Sequence, residues 1–493
     1  IEFDGILRHP LLSDFSATAI QQYLTELESG VFDWTDVKTP FAEVHSLTRH
    51  MLRSFARQDG DESNGYTVAD VQEFLSELNT YTIISHLSFA GFVGVGLTPV
   101  NTNVLAFCTA RNLNCTDPVI HRKPKVQHIN ADNRALCGFA CAGNPFDKGG
   151  AIAPLSGKEN HEMGHNLQRN RLKIYGPRST EVSTIIFPVH VGEQWGRDQG
   201  LVAGPNGERA GHQTAFLLLQ QAVLDGAVPG DQHPVWGAQG VEAAQRAFYI
   251  QLTYIHGSWD IYTKMYLVER IYTDAIGSDA KWAAAAADLG FSIYTRAEAM
   301  GLGNGNDFMY ITASLIDGRD FADHFEIWGI EISDKAKAQV QANGVTGSVP
   351  TLIYFVENDQ AFTTFPNIPG NERPLDGVTA WQPAAPAMAS SLQQKVDDGA
   401  WSEAASKDEQ GLAGAASAAV STGNGPLGFR CAQHQPTKSF YDTADITGNN
   451  THSPGAADGF RLAARRYLFA IGRGDVDVHG PRRQLPVHLL YTG

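Results

Sequence analysis

Apolar residues recur at three-to-four spacing in Ala17 to Leu27, Phe41 to Arg57 and Val68 to Leu78, so residues 1 to about 85 are predicted to form a helical leader. From about 86 to 160 the pattern shortens into brief apolar runs between Gly- and Pro-rich loops, and Phe89 to Leu97 reads as a strand. Helical periodicity returns from His161 to about Gly344, with long segments at Arg209 to Leu224, Val241 to Tyr272 and Phe308 to Ile316. Ser348 to Phe365 reads as extended, with Thr351 to Val356 as a buried strand, and Pro366 to Ser391 reads as a linker or long loop. Residues 395–493 carry no recognisable chemistry, and no internal repeat is visible. The expected organisation is a helical region over 1–85, an α+β and predominantly helical domain over 86–365, and a linker with a C-terminal region over 366–493 that contains β-strands.

Bulk properties narrow the class. At 493 residues the chain exceeds one ordinary core, and 43% hydrophobic with 18% charged residues is the balance of a folded protein. No apolar run approaches the ~20 residues that a membrane span requires. The net charge of −16, from 53 acidic and 37 basic residues, argues against nucleic acid as a partner. Five cysteines include two close pairs, Cys108 with Cys115 and Cys137 with Cys141; local disulfides in an exported protein are expected, with Cys431 left single. The chain starts at Ile1 with no Met and no export signal, as a processed form would. Asp59-Gly-Asp-Glu-Ser-Asn-Gly65 resembles a calcium loop, but the glycine falls one position late and Asp70 stands where a glutamate belongs, so a solvated turn is expected.

Candidate chemistry concentrates in Glu159-Asn-His161-Glu162-Met-Gly-His165-Asn-Leu-Gln168. Histidines four apart share one helical face, so both rings can reach one metal ion, and Glu162 beside the first is placed to handle the proton of a metal-bound water. The expected cofactor is one catalytic Zn2+, with Glu162 as general base. Such a site needs a third protein ligand. Gln168 and Arg171 stand where a Gly and a third His would be needed for a metzincin, which excludes that arrangement. The expected third ligand is Glu181, carried at the start of a second helix after the Gly176-Pro177 break with Ser179 or Thr180 as its N-cap; His190, Glu193 and Glu208 compete for the role. Arg209, His212, Tyr254, His256 and Tyr310 are candidates for oxyanion assistance, each with a packing role as the ordinary alternative.

At these residues a family resemblance emerges. His161-Glu-Met-Gly-His-Asn-Leu-Gln168 followed by Ser179-Thr-Glu-Val-Ser-Thr-Ile-Ile-Phe-Pro-Val-His190 resembles the enhancin-like, mucin-degrading gluzincins, and most of all the bacterial immunomodulating metalloproteases that act as O-glycopeptidases. Asp307 to Tyr310, Asp320 to Ser333 and Cys137 to Phe146 resemble the same group, and the likeness spans about residues 86 to 365. It implies an α+β gluzincin catalytic domain, zinc on His161, His165 and Glu181, and Glu162 as base. The implied substrates are O-glycosylated extracellular proteins such as mucins and cell-surface glycoproteins, cut by a secreted bacterial enzyme. Relatives carry a Trp shortly before the zinc motif to pack a sugar ring, whereas this chain reads Asp147-Lys-Gly-Gly150-Ala-Ile-Ala-Pro154. Trp195 is the alternative aromatic wall, or else a core residue, and Arg209 is a candidate substrate contact. A zinc endopeptidase without a glycan requirement, or a non-catalytic mucin-binding adhesin, would keep the same motif.

Overall fold

The structure, a computed structural model, describes residues 8–56, 65–122, 127–130, 146–147, 152–201, 210–237, 240–356, 370–382, 390–396, 402–406, 427–433 and 445–446. Contacts divide the chain into two compact units, residues 1–381 and 382–493. The stretch expected as a separate helical leader therefore folds within the same unit as residues 86–365. That unit also reaches past the boundary expected near 365: Leu352–Tyr354 pairs antiparallel with Glu372–Pro374, and the Trp381 ring packs against Phe216 and Phe355. The second unit holds an antiparallel four-stranded sheet of Asp445–Ile446, Leu427–Gln433, Ser390–Val396 and Ser402–Ser406 in that order, which supplies the strands expected of the C-terminal part.

The first unit is α+β and mostly helical. Its mixed sheet runs in the order Leu11–Leu12, Trp34–Lys38, Ala42–Leu47, Gln127–Asn130, Phe146–Asp147. The two central strands form a hairpin, turned by Thr39, whose hydroxyl accepts from the Phe41 and Ala42 amides. Thr35, Val37, Ala42, Val44 and Ser46 alternate onto the buried face, the period-two signature of a half-covered sheet. The expectation of helix from Phe41 onward is corrected here, because the helix begins only at Thr48–Ala56. Phe89 to Leu97 is likewise no strand: the helix His86–Phe89 ends there, and only Val93 makes an isolated bridge, to Arg122.

Helices Glu242–His256 and Asp260–Ala275 form the centre of the unit, buried on nearly every side. The second also buries Lys264, Glu269 and Arg270, and the Arg270 guanidinium donates to His121 and to the Gly91 carbonyl. Helix His212–Asp225 packs along the first of the two, and Gly305–Asp317 along the second. Near the N-terminal side, Val68–Glu77 continues into a wide π-helical stretch, Leu78–Ser85, a rare geometry that recurs at functional sites. Its Thr82 hydroxyl donates to the Pro154 carbonyl at 2.6 Å, which anchors the segment that leads into His161. A disulfide joins Cys108 to Cys115 across the end of helix Thr102–Ala110. Cys137, Cys141 and the calcium-like turn lie outside the described residues.

Candidate active site

The motif occupies the helix Gly157–His165. Ser156 caps it by accepting from the Lys158 amide, and Glu159 in the first turn complements the positive end of the helix dipole. Glu159 is buried because it also accepts the Ala153 amide at 3.1 Å, while the Asn160 side chain donates to the Pro154 and Ser156 carbonyls. From beneath, buried His86 donates through Nε2 to the Asn160 carbonyl at 3.1 Å. Gly164 allows a close approach to the following helix: a Cβ there would stand 2.5 Å from the Phe187 ring, which itself stacks on His86.

One helical turn apart, the His161 and His165 rings meet edge to face with centroids 4.8 Å apart. The helix stops at His165 instead of running on through Leu172, and the chain winds through a short 3-10 turn, Asn170–Leu172. It is then reversed by two consecutive left-handed residues, Tyr175 at φ 55° and Gly176 at φ 63°. For a tyrosine this conformation costs on the order of 1 kcal/mol, so surrounding contacts must hold it. Asn306 Oδ1 accepts its amide at 2.8 Å. Its hydroxyl donates to the Gly329 carbonyl and accepts the Glu331 amide, and the Arg178 guanidinium lies over its ring.

The reversal returns the chain to the histidines. Glu181 Oε2 lies 3.1 Å from His161 Nε2 and 3.5 Å from His165 Nε2. Its expected position at a helix start is corrected: Gly176–Ser179 and Ser183–Ile185 are separate 3-10 turns, Glu181 sits between them, and the long helix begins at Ile186–Asp198. Ser179 is not an N-cap, because its hydroxyl donates back to the Ile174 carbonyl.

The ligating atoms of His161, His165 and Glu181 all lie within 4.8 Å of one another. His165 Nε2 is buried and faces only Glu181 Oε2, at the long distance of 3.5 Å, as a nitrogen reserved for a metal would. Burial holds the His165 pKa below its ordinary value, so the ring is neutral at physiological pH and its lone pair is available. Two imidazole nitrogens and one carboxylate oxygen are the donor set of a catalytic zinc site with a position left for solvent. Glu162 lies half-buried next to His161 on the same helix.

The far nitrogens are also engaged. Thr184 Oγ1 lies 3.0 Å from His161 Nδ1, and Gln168 Oε1 lies 2.9 Å from His165 Nδ1. Neither Thr184 nor the amide role of Gln168 was expected from the sequence; Gln168 served there only to exclude a metzincin. His190 and Glu193, the competitors of Glu181, are occupied elsewhere. His190 stacks on Phe89 and meets Ser85, while Glu193 accepts from Trp259 Nε1 at 2.6 Å and from Arg197. Glu208 and Arg209 lie outside the described residues. Trp195 is half-buried in the second half of Ile186–Asp198, outside the three-residue cluster. Of the oxyanion candidates, His212 pairs with Gln251, His256 with Asp317 and Tyr310 with Asp320, and Tyr254 is buried against His212.

Helices gathered about a short mixed sheet, with two histidines on one turn and a carboxylate returned to them, make an α+β domain of the gluzincin metallopeptidase type. In sequence and fold the chain is similar to the bacterial immunomodulating metalloproteases. It is 30% identical over 386 residues to the immunomodulating metalloprotease of Pseudomonas aeruginosa, covering 74% of this chain and 40% of that protein. The solved structure of the IMPa metallopeptidase from Pseudomonas aeruginosa in complex with an O-glycopeptide matches with a TM-score of 0.60 at 30% identity, over 77% of this chain and 42% of that one. The same metallopeptidase in complex with T-antigen matches with a TM-score of 0.60 at 29% identity, over 76% and 42%. No protein-family model matches. The chain thus spans well under half the length of these relatives.

Proposed function

We propose that this chain is a zinc-dependent endopeptidase that cleaves O-glycosylated, mucin-type proteins, with His161, His165 and Glu181 as metal ligands and Glu162 as general base. The convergence of three ligating atoms within 4.8 Å beside a glutamate on the same helix carries the reading. Bound there, zinc supplies a Lewis acid that brings the pKa of a coordinated water toward neutrality. Glu162 accepts the proton of the attacking water and delivers it to the leaving amine, so one carboxylate serves as base and then as acid. Thr184 and Gln168 hold both rings with Nε2 directed at Glu181. Two observations support the substrate class: relatives of this chain are described in complex with an O-glycopeptide and with T-antigen. An extracellular location fits that substrate class, and among the described residues no helix is long and apolar enough to cross a membrane.

Digestion of one mucin-type glycoprotein before and after enzymatic O-glycan removal tests this reading, with a chelator control and the Glu162→Gln variant. Cleavage should require the glycan, stop with chelator and vanish in the variant while its zinc content stays stoichiometric. Cleavage that survives deglycosylation would remove the glycan requirement; cleavage by Glu162→Gln would remove the assigned base.

A further inference from the structure

We propose that Gln168 is a positioning residue that couples the two halves of the metal site, acting as an amide latch between the motif helix and the turn that carries Glu181. The inference rests on the metallopeptidase reading above. Gln168 follows His165 by three residues, just past the end of the helix, and is half-buried. Its Nε2 donates to the Thr180 carbonyl at 2.6 Å and to Ser183 Oγ at 2.7 Å. Those contacts fix which end of the amide is which, because the flipped form would set one carbonyl oxygen against another. Oε1 then faces His165 Nδ1 at 2.9 Å and can only accept. The proton of His165 therefore resides on Nδ1, and the lone pair on Nε2 is the one turned toward Glu181 Oε2.

The same side chain also determines where Glu181 stands. Thr180 and Ser183 bracket Glu181 on either side, so the two bonds from Nε2 hold the turn at both ends. Glu181 needs this outside support. Its side chain is 56% exposed, and among the described residues its carboxylate meets only the two histidines. An exposed glutamate samples many rotamers, and only a fixed backbone keeps its oxygen near a metal. Thr184 makes a tie from the other side: its hydroxyl lies 3.0 Å from His161 Nδ1 and 3.5 Å from the Glu181 carbonyl. Gln168 is the tie that starts from the motif side, and one side chain bonds His165 and both flanks of Glu181. A carboxamide suits this position because its NH2 offers two donors to the turn while its oxygen accepts from the ring.

Two variants separate the two ends of the latch. Gln168→Glu is nearly the same shape and keeps an acceptor for His165, but it puts a carboxylate against the Thr180 carbonyl and releases the turn. Gln168→Ala removes both contacts. The probe is zinc itself, titrated in competition with a chromogenic chelator. Affinity should fall about 10- to 100-fold in both variants, the range for residues that orient metal ligands. Circular dichroism and thermal unfolding of the metal-free forms should match the parent, which separates a loss of positioning from a loss of folding. At saturating zinc, kcat on a glycopeptide should fall with KM little changed, because substrate contacts are untouched. Parent-like zinc affinity in both variants would overturn the latch and leave the peptidase reading intact. A parent protein that takes up no zinc at all would overturn both.

Discussion

A neutral side chain sits beside the far nitrogen of each metal-site histidine, Thr184 at His161 and Gln168 at His165. Thr184 is fully buried, and its hydroxyl is 3.0 Å from His161 Nδ1. Thr184→Val keeps the shape and deletes this buried hydrogen bond, at a cost of about 0.5–1.5 kcal/mol. Urea unfolding of the metal-free protein should show that loss, and zinc affinity should drop about 10-fold; unchanged values for both would remove Thr184 from the site. These partners were not legible in the sequence for a plain reason. The four-residue spacing of His161 and His165 states by itself that both lie on one helical turn. A threonine or a glutamine states nothing until the fold brings it to a ring. Glu181 is an intermediate case: its distance along the chain suggested a return to the histidines, but the left-handed pair at Tyr175 and Gly176 that accomplishes the return was hidden, because tyrosine rarely adopts that conformation.

Between elements, the site depends on how closely the motif helix approaches Ile186–Asp198. Gly164 sets that distance, with the Phe187 ring where its side chain would be. Gly164→Ala should therefore push Phe187 off His86 and strain the helix pair. Overpacking of this kind costs about 1–3 kcal/mol, more than the gain alanine brings to an isolated helix. Adding Phe187→Leu, which makes room, should recover part of the loss in a double-mutant cycle measured by thermal unfolding. Simple additivity would show that the two positions do not meet. The helical character of Val241 to Tyr272 was readable from its periodicity, but its division into two helices at the left-handed Gly257 was not. The hairpin at Trp34–Lys38 and Ala42–Leu47 was not. Phe41, Val44, Met51 and Phe55 fit a helical spacing, while Ala42, Val44 and Ser46 also alternate. Pairing with Leu11–Leu12 and with the distant Gln127–Asn130 settles the conflict, and neither partner is visible in a local window.

Across the whole molecule, buried histidines couple stability to pH. His86, His121, His212, His233 and His324 are all at most 2% exposed. Burial pushes their pKa values down to about 4, 4, 3, 4 and 3, with the nearby Arg270 guanidinium adding to the effect at His121. In the unfolded chain each returns to about 6.5. Between those limits the unfolded state binds more protons than the folded one, so stability is lost as pH falls below about 6.5. Glu193 acts in the opposite sense. Burial lifts its carboxyl to about 7, so the stability it contributes is present at low pH and fades as pH rises toward 7. A group that differs by a full proton between the two states contributes about 1.4 kcal/mol per pH unit, so one carboxyl cannot offset even two of the histidines. The metal-free protein should therefore show a thermal midpoint that declines steadily from pH 7 to pH 5. Replacing His324, which is enclosed by Phe248, Phe321 and Trp328, with the apolar and neutral Leu should flatten that decline. A midpoint that is level or rises on acidification would show that these rings are protonated inside the fold, and with them the packing around the central helices would have to be redrawn.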